Sequence, residues 1–303
     1  MENKRVIVFG GCGFLGSYLV EELVNRNYQV TACDISPLPK ELAGYDNLEF
    51  MHCDILDAEQ VQVCVERSQA HWVYNLAGFA NLDKAIHHPY RTMELNVMGN
   101  INILDACVKY IKQVRRFIFA SSAYAMNSKG SFYGISKLAS EKIVEEYYKR
   151  FQLPFSILRY GSIYSEKPFD NNYIYKIVYR AVKEGKIEHE GDGEEVREYI
   201  HAQDAARLSV DIIESEQYEN EHIVLTGLER MRRKELFLMI EEILNTKLDI
   251  RLKGDGYQHH YKYTPYSFEP AVSKKLIANP YIDMGQGLLR CIKAVYENGK
   301  EVI

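Results

Sequence analysis

No apolar run in this 303-residue chain approaches the roughly eighteen residues that cross a bilayer, so a membrane-embedded protein is not expected. Blocks of like charge are missing too: acids and bases are interspersed, and the net charge is only -5 at pH 7. That pattern gives no electrostatic footprint for nucleic acid or an anionic membrane as the main partner. The six cysteines, Cys12, Cys33, Cys53, Cys64, Cys107 and Cys291, form no CxxC pair and stand at no metal-ligand spacing with histidine, so no metal site is expected. Most of them sit inside apolar runs and read as reduced core residues of a cytoplasmic protein. Internal repeats, low-complexity segments and a cleavage-site pattern after the first apolar run are all wanting, and a soluble, unprocessed chain is expected.

What is present is enough apolar residue, 47% of the chain, to bury a large core. Residues 4–9 (KRVIVF) are followed by a glycine turn and then by Leu15, Leu19 and Leu23 at helical spacing. The alternation repeats through QVTACD (29–34), LEFMHCD (48–54) with a helix at 57–67, HWVYNLAG (71–78) with a long helix near 91–112, and RRFIFASS (115–122) with a helix near 133–151. Strands apolar on both faces and joined by helices imply an α/β fold with a doubly wound parallel sheet of Rossmann type.

Gly10, Gly13 and Gly16 together make a GxxGxxG loop. A turn without Cβ atoms lets backbone N–H groups and a helix N-terminus approach a pyrophosphate, although three glycines also serve close packing of strand on helix. Context favours the first reading: the loop joins a strand to a helix, and Asp34 ends the second strand eighteen residues after Gly16, near the offset of an acid that binds ribose hydroxyls. Asp34 repels a 2'-phosphate, which favours NAD over NADP. Asp54, at the end of the third strand, either borders the adenine or caps a short turn.

Tyr133 and Lys137 are four apart, so a helix puts them on one face. An ammonium about 4 Å from a phenol is worth about 4 kcal/mol at an effective dielectric of 20, about three pKa units, enough to bring a tyrosine toward neutrality. Such a tyrosine takes and returns protons. Ser122 ends the preceding strand on the carboxyl edge of the sheet, where open α/β sheets bind ligands. The competing reading is a surface pair beside a strand-end serine.

With these residues in place the chain resembles the extended short-chain dehydrogenase/reductases, specifically the NAD-dependent nucleotide-sugar epimerase/dehydratase family. GGCGFLG, NLAG (75–78), NVMGNINILDAC, FASS, YGISK, LRYGSIYSEKP (158–168) and REYIHAQDAARL (197–208) each resemble a family segment. The resemblance implies Tyr133 as base, Lys137 as its tuner and ribose ligand, and Ser122 as orienter of the sugar hydroxyl. It implies cofactor contacts from Phe14, Leu15 and Ile55, from Leu76, Ala77 and Gly78, and from Asn96, which would also support the helix carrying the active site. Tyr124, Ser162 and Arg197 fall on the sugar-nucleotide side, with Arg197 gripping the pyrophosphate.

Residues 1–161, with 196–226 returning to them, are expected to form the NAD-binding domain, and 162–195 with 227–303 a smaller C-terminal substrate-binding lobe. Helices are expected at 171–185, 232–245 and 285–298, with turns at 265–280. A homodimer through the 91–112 and 133–151 helices, including Tyr147 and Tyr148, is expected from the family; burial within one chain competes with it.

Three departures refine these expectations. Where related dehydratases carry Thr-Asp-Glu, this chain has Ser122-Ala123-Tyr124, which disfavours dehydration. Epimerisation at sugar C4 through a 4-keto species, net oxidation, or reduction of a keto-sugar remain, and a non-catalytic dinucleotide sensor is the reading from another class. Only eleven positions separate Ser122 from Tyr133, with Ala125-Met126-Asn127 in the place of Val-Tyr-Gly, so a more open pocket is expected. A second phosphate-binding arginine has no match near the C-terminus, where His260 or Lys262 could substitute or a tyrosine-rich loop could simply be ordered.

Overall fold

The computed structural model describes residues 4–126, 129–228, 230–254, 260–262, 274–277 and 282–298. Asn127, and the part of 265–280 beyond those bounds, lie outside the described residues.

Strands β1 (Arg5–Phe9), β2 (Gln29–Asp34), β3 (Leu48–His52), β4 (Trp72–Asn75), β5 (Arg116–Ser122) and β6 (Phe155–Tyr160) form the first part of the large sheet. Then come β7 (Ser162–Tyr164), β8 (Lys186–His189), β9 (Val196–His201), β10 (Glu221–Thr226), β11 (Arg230–Arg232), β12 (Asp249–Leu252) and β13 (Lys274–Ile277). The eight-stranded sheet has the order β13-β10-β6-β5-β4-β1-β2-β3, and its pairs are parallel. The central strands are buried on both faces: β1 lies between 0 and 1% exposed from Val6 to Phe9. That is why they read as continuous apolar runs instead of alternating ones. Strand order reverses between β1 and β4, the switch point at which such sheets bind ligands beyond their carboxyl ends.

The helices are α1 (Phe14–Asn25), α2 (Ala58–Ser68), α3 (Leu82–His87), α4 (Pro89–Met93), α5 (Gly99–Lys109), α6 (Ser131–Phe151), α7 (Tyr173–Glu184), α8 (Ala202–Ile213), α9 (Arg233–Leu244) and α10 (Met284–Asn298). One sheet face is covered by Leu19, Leu23 and Val24 of α1 with Ala205, Ala206 and Val210 of α8. The other is covered by Val61 and Val65 of α2, Ile103 and Leu104 of α5, and Val144 of α6. A separate core unites α7, α9 and α10 around Tyr175, Phe237 and Leu288, beside the pairs β12-β8 and β11-β9-β7. The segment 274–277, read from the sequence as part of the lobe, runs along the edge of the large sheet beside β10.

The long helix expected near 91–112 is in fact α4 and α5 joined by one wide π turn at Glu94–Met98. The wide turn presents Asn96 inward and frees its carbonyl, which accepts from Ser140 Oγ at 2.7 Å; such turns recur at functional sites.

Helix α6 is tied to the sheet by charge. Glu141, wholly buried, takes Arg159 Nε at 2.9 Å and Nη2 at 2.7 Å. Ser121 Oγ donates to the same carboxylate at 2.5 Å. The fork joins α6, β5 and β6 one turn beyond Lys137. Glu141→Ala removes the carboxylate that balances a buried guanidinium and is expected to lower the unfolding free energy by about 3–5 kcal/mol in urea titration. Pairing it with Arg159→Met is expected to return most of that loss; a double variant as unstable as the single one argues that the charges are not coupled.

Candidate active site

The glycine loop leaves β1 with Gly10 at φ +79°, where a Cβ atom would stand 2.6 Å from Ala77 N. A Cβ on Gly16 would stand 1.9 Å from Gly10 O, so the helix start is pressed directly onto the turn. No side chain caps α1 at Gly13, which leaves the first-turn N–H groups available to an anion. Asp34 is held beside this loop: Oδ2 accepts from Cys12 N at 3.0 Å and Oδ1 from Ser36 N at 2.9 Å. These features fit a dinucleotide, with the pyrophosphate on the loop and the ribose at Asp34. Asp54 does cap a turn, accepting from Leu56 N at 2.9 Å, and it also borders the cavity.

That cavity has a volume of about 1060 Å³ and runs from the glycine loop into the lobe, space for a dinucleotide and a second ligand. Gly10, Gly13, Phe14, Leu15, Gly16 and Asp34 line its first end, with Asp54, Ile55, Leu76, Ala77 and Gly78 beside them. Ser122, Tyr124, Tyr133, Lys137, Ser162 and Arg197 line the rest. Among the catalytic and cofactor-contact residues expected from the sequence, Asn96 does not line the cavity but stands behind its wall; Lys262 of the candidate phosphate ligands does not line it either. Asn96 accepts from Phe79 N at 2.6 Å and donates to Phe79 O at 3.2 Å and Ser136 Oγ at 2.8 Å. A Cβ on Gly78 would meet Asn96 Oδ1 at 2.4 Å. Asn96 thus clamps the turn after β4 to α6.

Ser122, at the end of β5, accepts from Tyr124 N at 3.3 Å and stands beside Tyr133 in the first turn of α6, both on the cavity wall. Lys137 Nζ donates to Ala120 O at 2.8 Å and lies 5.9 Å from the Tyr133 ring centre. The expected descent of the tyrosine toward neutrality does not occur in this state. Burial pushes the Tyr133 phenol up, against the pull of the Ser122 hydroxyl beside it. The same burial brings Lys137 down to about 8, opposed by the field of Glu141. Desolvation outweighs the ammonium–phenol attraction, because both groups leave water while their separation exceeds a direct contact.

The short link between Ser122 and Tyr133 does not leave an open wall. Tyr124 fills it, its ring 6.2 Å from that of Tyr133 and 4.6 Å from that of Tyr261. Tyr124 Oη is bonded to His260 Nδ1 at 2.7 Å, and His260 Nε2 to Asp83 Oδ1 at 3.0 Å. His260 and Lys262 are both committed to carboxylates, Lys262 to Asp192 at 3.6 Å. Arg197, 2% exposed, donates from Nη1 to Val196 O at 2.9 Å and lies 4.1 Å over Tyr261.

A glycine cradle facing a serine, tyrosine and lysine across one cleft defines a dinucleotide-dependent enzyme of the α/β class. Residues 6–226 match the model of the NAD dependent epimerase/dehydratase family, and the chain belongs to that family; its cofactor is NAD. A putative UDP-glucose 4-epimerase of Methanocaldococcus jannaschii is 24% identical over 97% of this chain and 99% of its own length. The same fold is found in a UDP-glucose 4-epimerase of Thermotoga maritima solved with UDP-glucose (TM-score 0.79, 23% identity, 96% of this chain and 98% of that one). It recurs in a UDP-glucuronic acid 4-epimerase of Bacillus cereus solved with UDP-glucuronic acid and NAD (TM-score 0.81, 21% identity, 96% and 99%). Among the described residues no helix is long and apolar enough to cross a membrane, and no group of three or more metal-ligating side chains gathers.

Below pH 8 the fold holds the Lys137 charge at a cost of about 3 kcal/mol, since its pKa falls from 10.5 to about 8. The native state releases this proton first, so the cost fades as pH rises from 8 to 10.5. Lys137→Met, which also loses one hydrogen bond, is expected to unfold about 1–2 kcal/mol harder at pH 7 while losing turnover. Denaturation at several pH values should show that gain shrinking above pH 8; a gain that ignores pH counts against a buried ammonium.

Proposed function

We propose that this protein is an NAD-dependent nucleotide-sugar 4-epimerase working through a 4-keto sugar. The observation that carries the reading is the convergence of Ser122, Tyr133 and Lys137 on the wall of the same cavity that holds the glycine loop. A bound sugar carbon there lies against both an acid–base group and a dinucleotide. The relatives named as UDP-sugar 4-epimerases support the substrate class.

NAD, when bound, would supply reversible acceptance of a hydride from the sugar carbon. Tyr133 as phenolate removes the hydroxyl proton while that hydride leaves, and returns it when the hydride comes back to the other face of the ketone. Electrons balance within one turnover, with no external oxidant. Lys137, charged, stabilises the phenolate, and Ser122 donates to the reacting oxygen and holds it within reach of Tyr133. Arg197 binds the diphosphate with its fork.

A homodimer fits the chain as well. Tyr90 (78% exposed), Met98 (53%) and Ile135 (56%) present apolar surface on the neighbouring α4, π turn and α6. Tyr147 and Tyr148 are used within the chain, Tyr147 Oη donating to Asp105 at 2.6 Å and Tyr148 packing on Phe155. A cytoplasmic setting is in keeping with six free, buried cysteines.

Incubation with UDP-sugars, without added cofactor, should interconvert C4 isomers, and Tyr133→Phe should lower kcat by about 10²–10⁴-fold with NAD still bound. Net accumulation of reduced cofactor with stoichiometric ketone would instead identify a dehydrogenase. Light scattering should give a dimer for the native chain and a monomer for Ile135→Glu; a native monomer removes the interface.

A further inference from the structure

Besides Arg197, the lobe side of the cavity holds another buried guanidinium that the sequence conceals. RMRRKE (230–235) has the look of a solvated helix start, and two of its cations behave so: Arg232 meets Glu194 at 3.5 Å, and Lys234 is bonded to the same carboxylate. Arg233, between them, turns inward. Its backbone N–H donates to Glu195 O at 2.9 Å, which fixes the first residue of α9. Its guanidinium lies 3.9 Å over the Tyr173 ring and 5.5 Å from that of Tyr199, on the cavity wall. Nε and Nη1 are shut off from bulk solvent and have no hydrogen-bond partner among the described residues.

Burying an always-charged fork without hydrogen-bond acceptors is costly. The tyrosine faces lower that cost through cation–π contact. Glu195 balances the charge through space only. Its Oε1 is taken by His189 Nε2 at 3.1 Å and Gly193 N at 3.4 Å, and its buried Oε2 makes no hydrogen bond, to Arg233 or to any other described group. The donors of Arg233 therefore await an anion from the cavity.

Position indicates which anion. A chain of rings leads from the catalytic phenol toward the arginines: Tyr133 to Tyr124 at 6.2 Å, Tyr124 to Tyr261 at 4.6 Å, and Tyr261 to Arg197 at 4.1 Å. Both Arg197 and Arg233 act electrostatically on Tyr124. In a pyranose, C1 is across the ring from C4. A hexose with C4 at Tyr133 therefore directs its anomeric phosphate away from the phenol, along this chain. Two phosphates call for more than one fork, and Arg197 already spends one N–H on Val196 O.

We propose that Arg233 is a substrate-binding residue that, with Arg197, clamps the diphosphate of the nucleotide sugar; the assignment rests on the functional reading above. Calorimetry on NAD-loaded protein with UDP, GDP, CDP and dTDP, each beside its nucleoside, tests it. Arg233→Gln is expected to weaken the preferred diphosphate by about 10- to 100-fold. Nucleoside affinity should stay within about twofold, since a charge-assisted bond to phosphate is all that is removed. Should Arg233→Gln lose NAD or its thermal transition, Arg233→Lys, which keeps the charge without the planar fork, takes its place, with the same loss of preference for diphosphate over nucleoside expected. Equal weakening of diphosphate and nucleoside marks a structural role and overturns the proposal, as does unchanged diphosphate affinity. Binding of none of the four by the native chain overturns the functional reading itself, whereas native binding that Arg233→Gln leaves intact overturns only the role of Arg233.

Discussion

The site depends on a charge pair buried where no water reaches. Glu141 and Arg159 neutralise each other at 2.7–2.9 Å between α6 and β6, and Ser121 on β5 completes the carboxylate's hydrogen bonds. Neither ion is tolerable there alone, so α6 has essentially one rotation and one height against the sheet. Glu141 stands four residues after Lys137 and eight after Tyr133, all on one helical face. The pair that fixes Glu141 therefore also aims the phenol and the ammonium at the end of β5. Asn96 and Ser136 fix the same helix through a second contact at 2.8 Å.

With that rotation set, desolvation decides the protonation states. Lys137 sits 5% exposed and Tyr133 half-buried in the cavity wall, and burial favours the neutral form of each. Lys137, brought down only to about 8, still keeps its proton at pH 7, so a phenolate formed at Tyr133 meets an ammonium already in place, and their attraction in a dry site is strong. The arrangement stores instability at the catalytic face and offsets it with the satisfied ion pair one turn away, a common partition between activity and stability.

Much of this was legible. Strands buried on both faces leave continuous apolar runs, and glycine turns that tolerate no Cβ atom leave glycines, so the parallel sheet and the Gly10–Gly16 loop were readable from spacing. Ser122, Tyr133 and Lys137 were readable because a strand end and a helix start bring them together locally. Contacts made across long loops were not. Arg233 looks like Arg232 and Lys234 until the lobe core rotates α9 and sends it inward. Tyr124 finds His260 across 136 positions, and local patterning carries no trace of such a pairing. The π turn at 94–98 was hidden for a different reason: it costs one hydrogen-bond register that the buried Asn96 and Ser140 repay, and an apolar periodicity barely registers that shift.

The wall opposite Tyr133 bears on which chemistry the site supports. Eliminating water from a keto-sugar needs an acid and a base on the C5–C6 side of the ring. There this chain has Ala123, without a proton to exchange, and Tyr124. Burial raises the Tyr124 phenol far above the working range, and its oxygen is engaged by His260, itself held by Asp83. The phenol can accept or donate a hydrogen bond to a sugar hydroxyl, yet it has no driving force to strip a carbon-bound proton. In the proposed reaction a ketone at C4 would thus be left with one favourable exit, the return of the hydride, and the face to which it returns would depend on how far the sugar turns beside Tyr124 and Tyr261 while its phosphate end stays held.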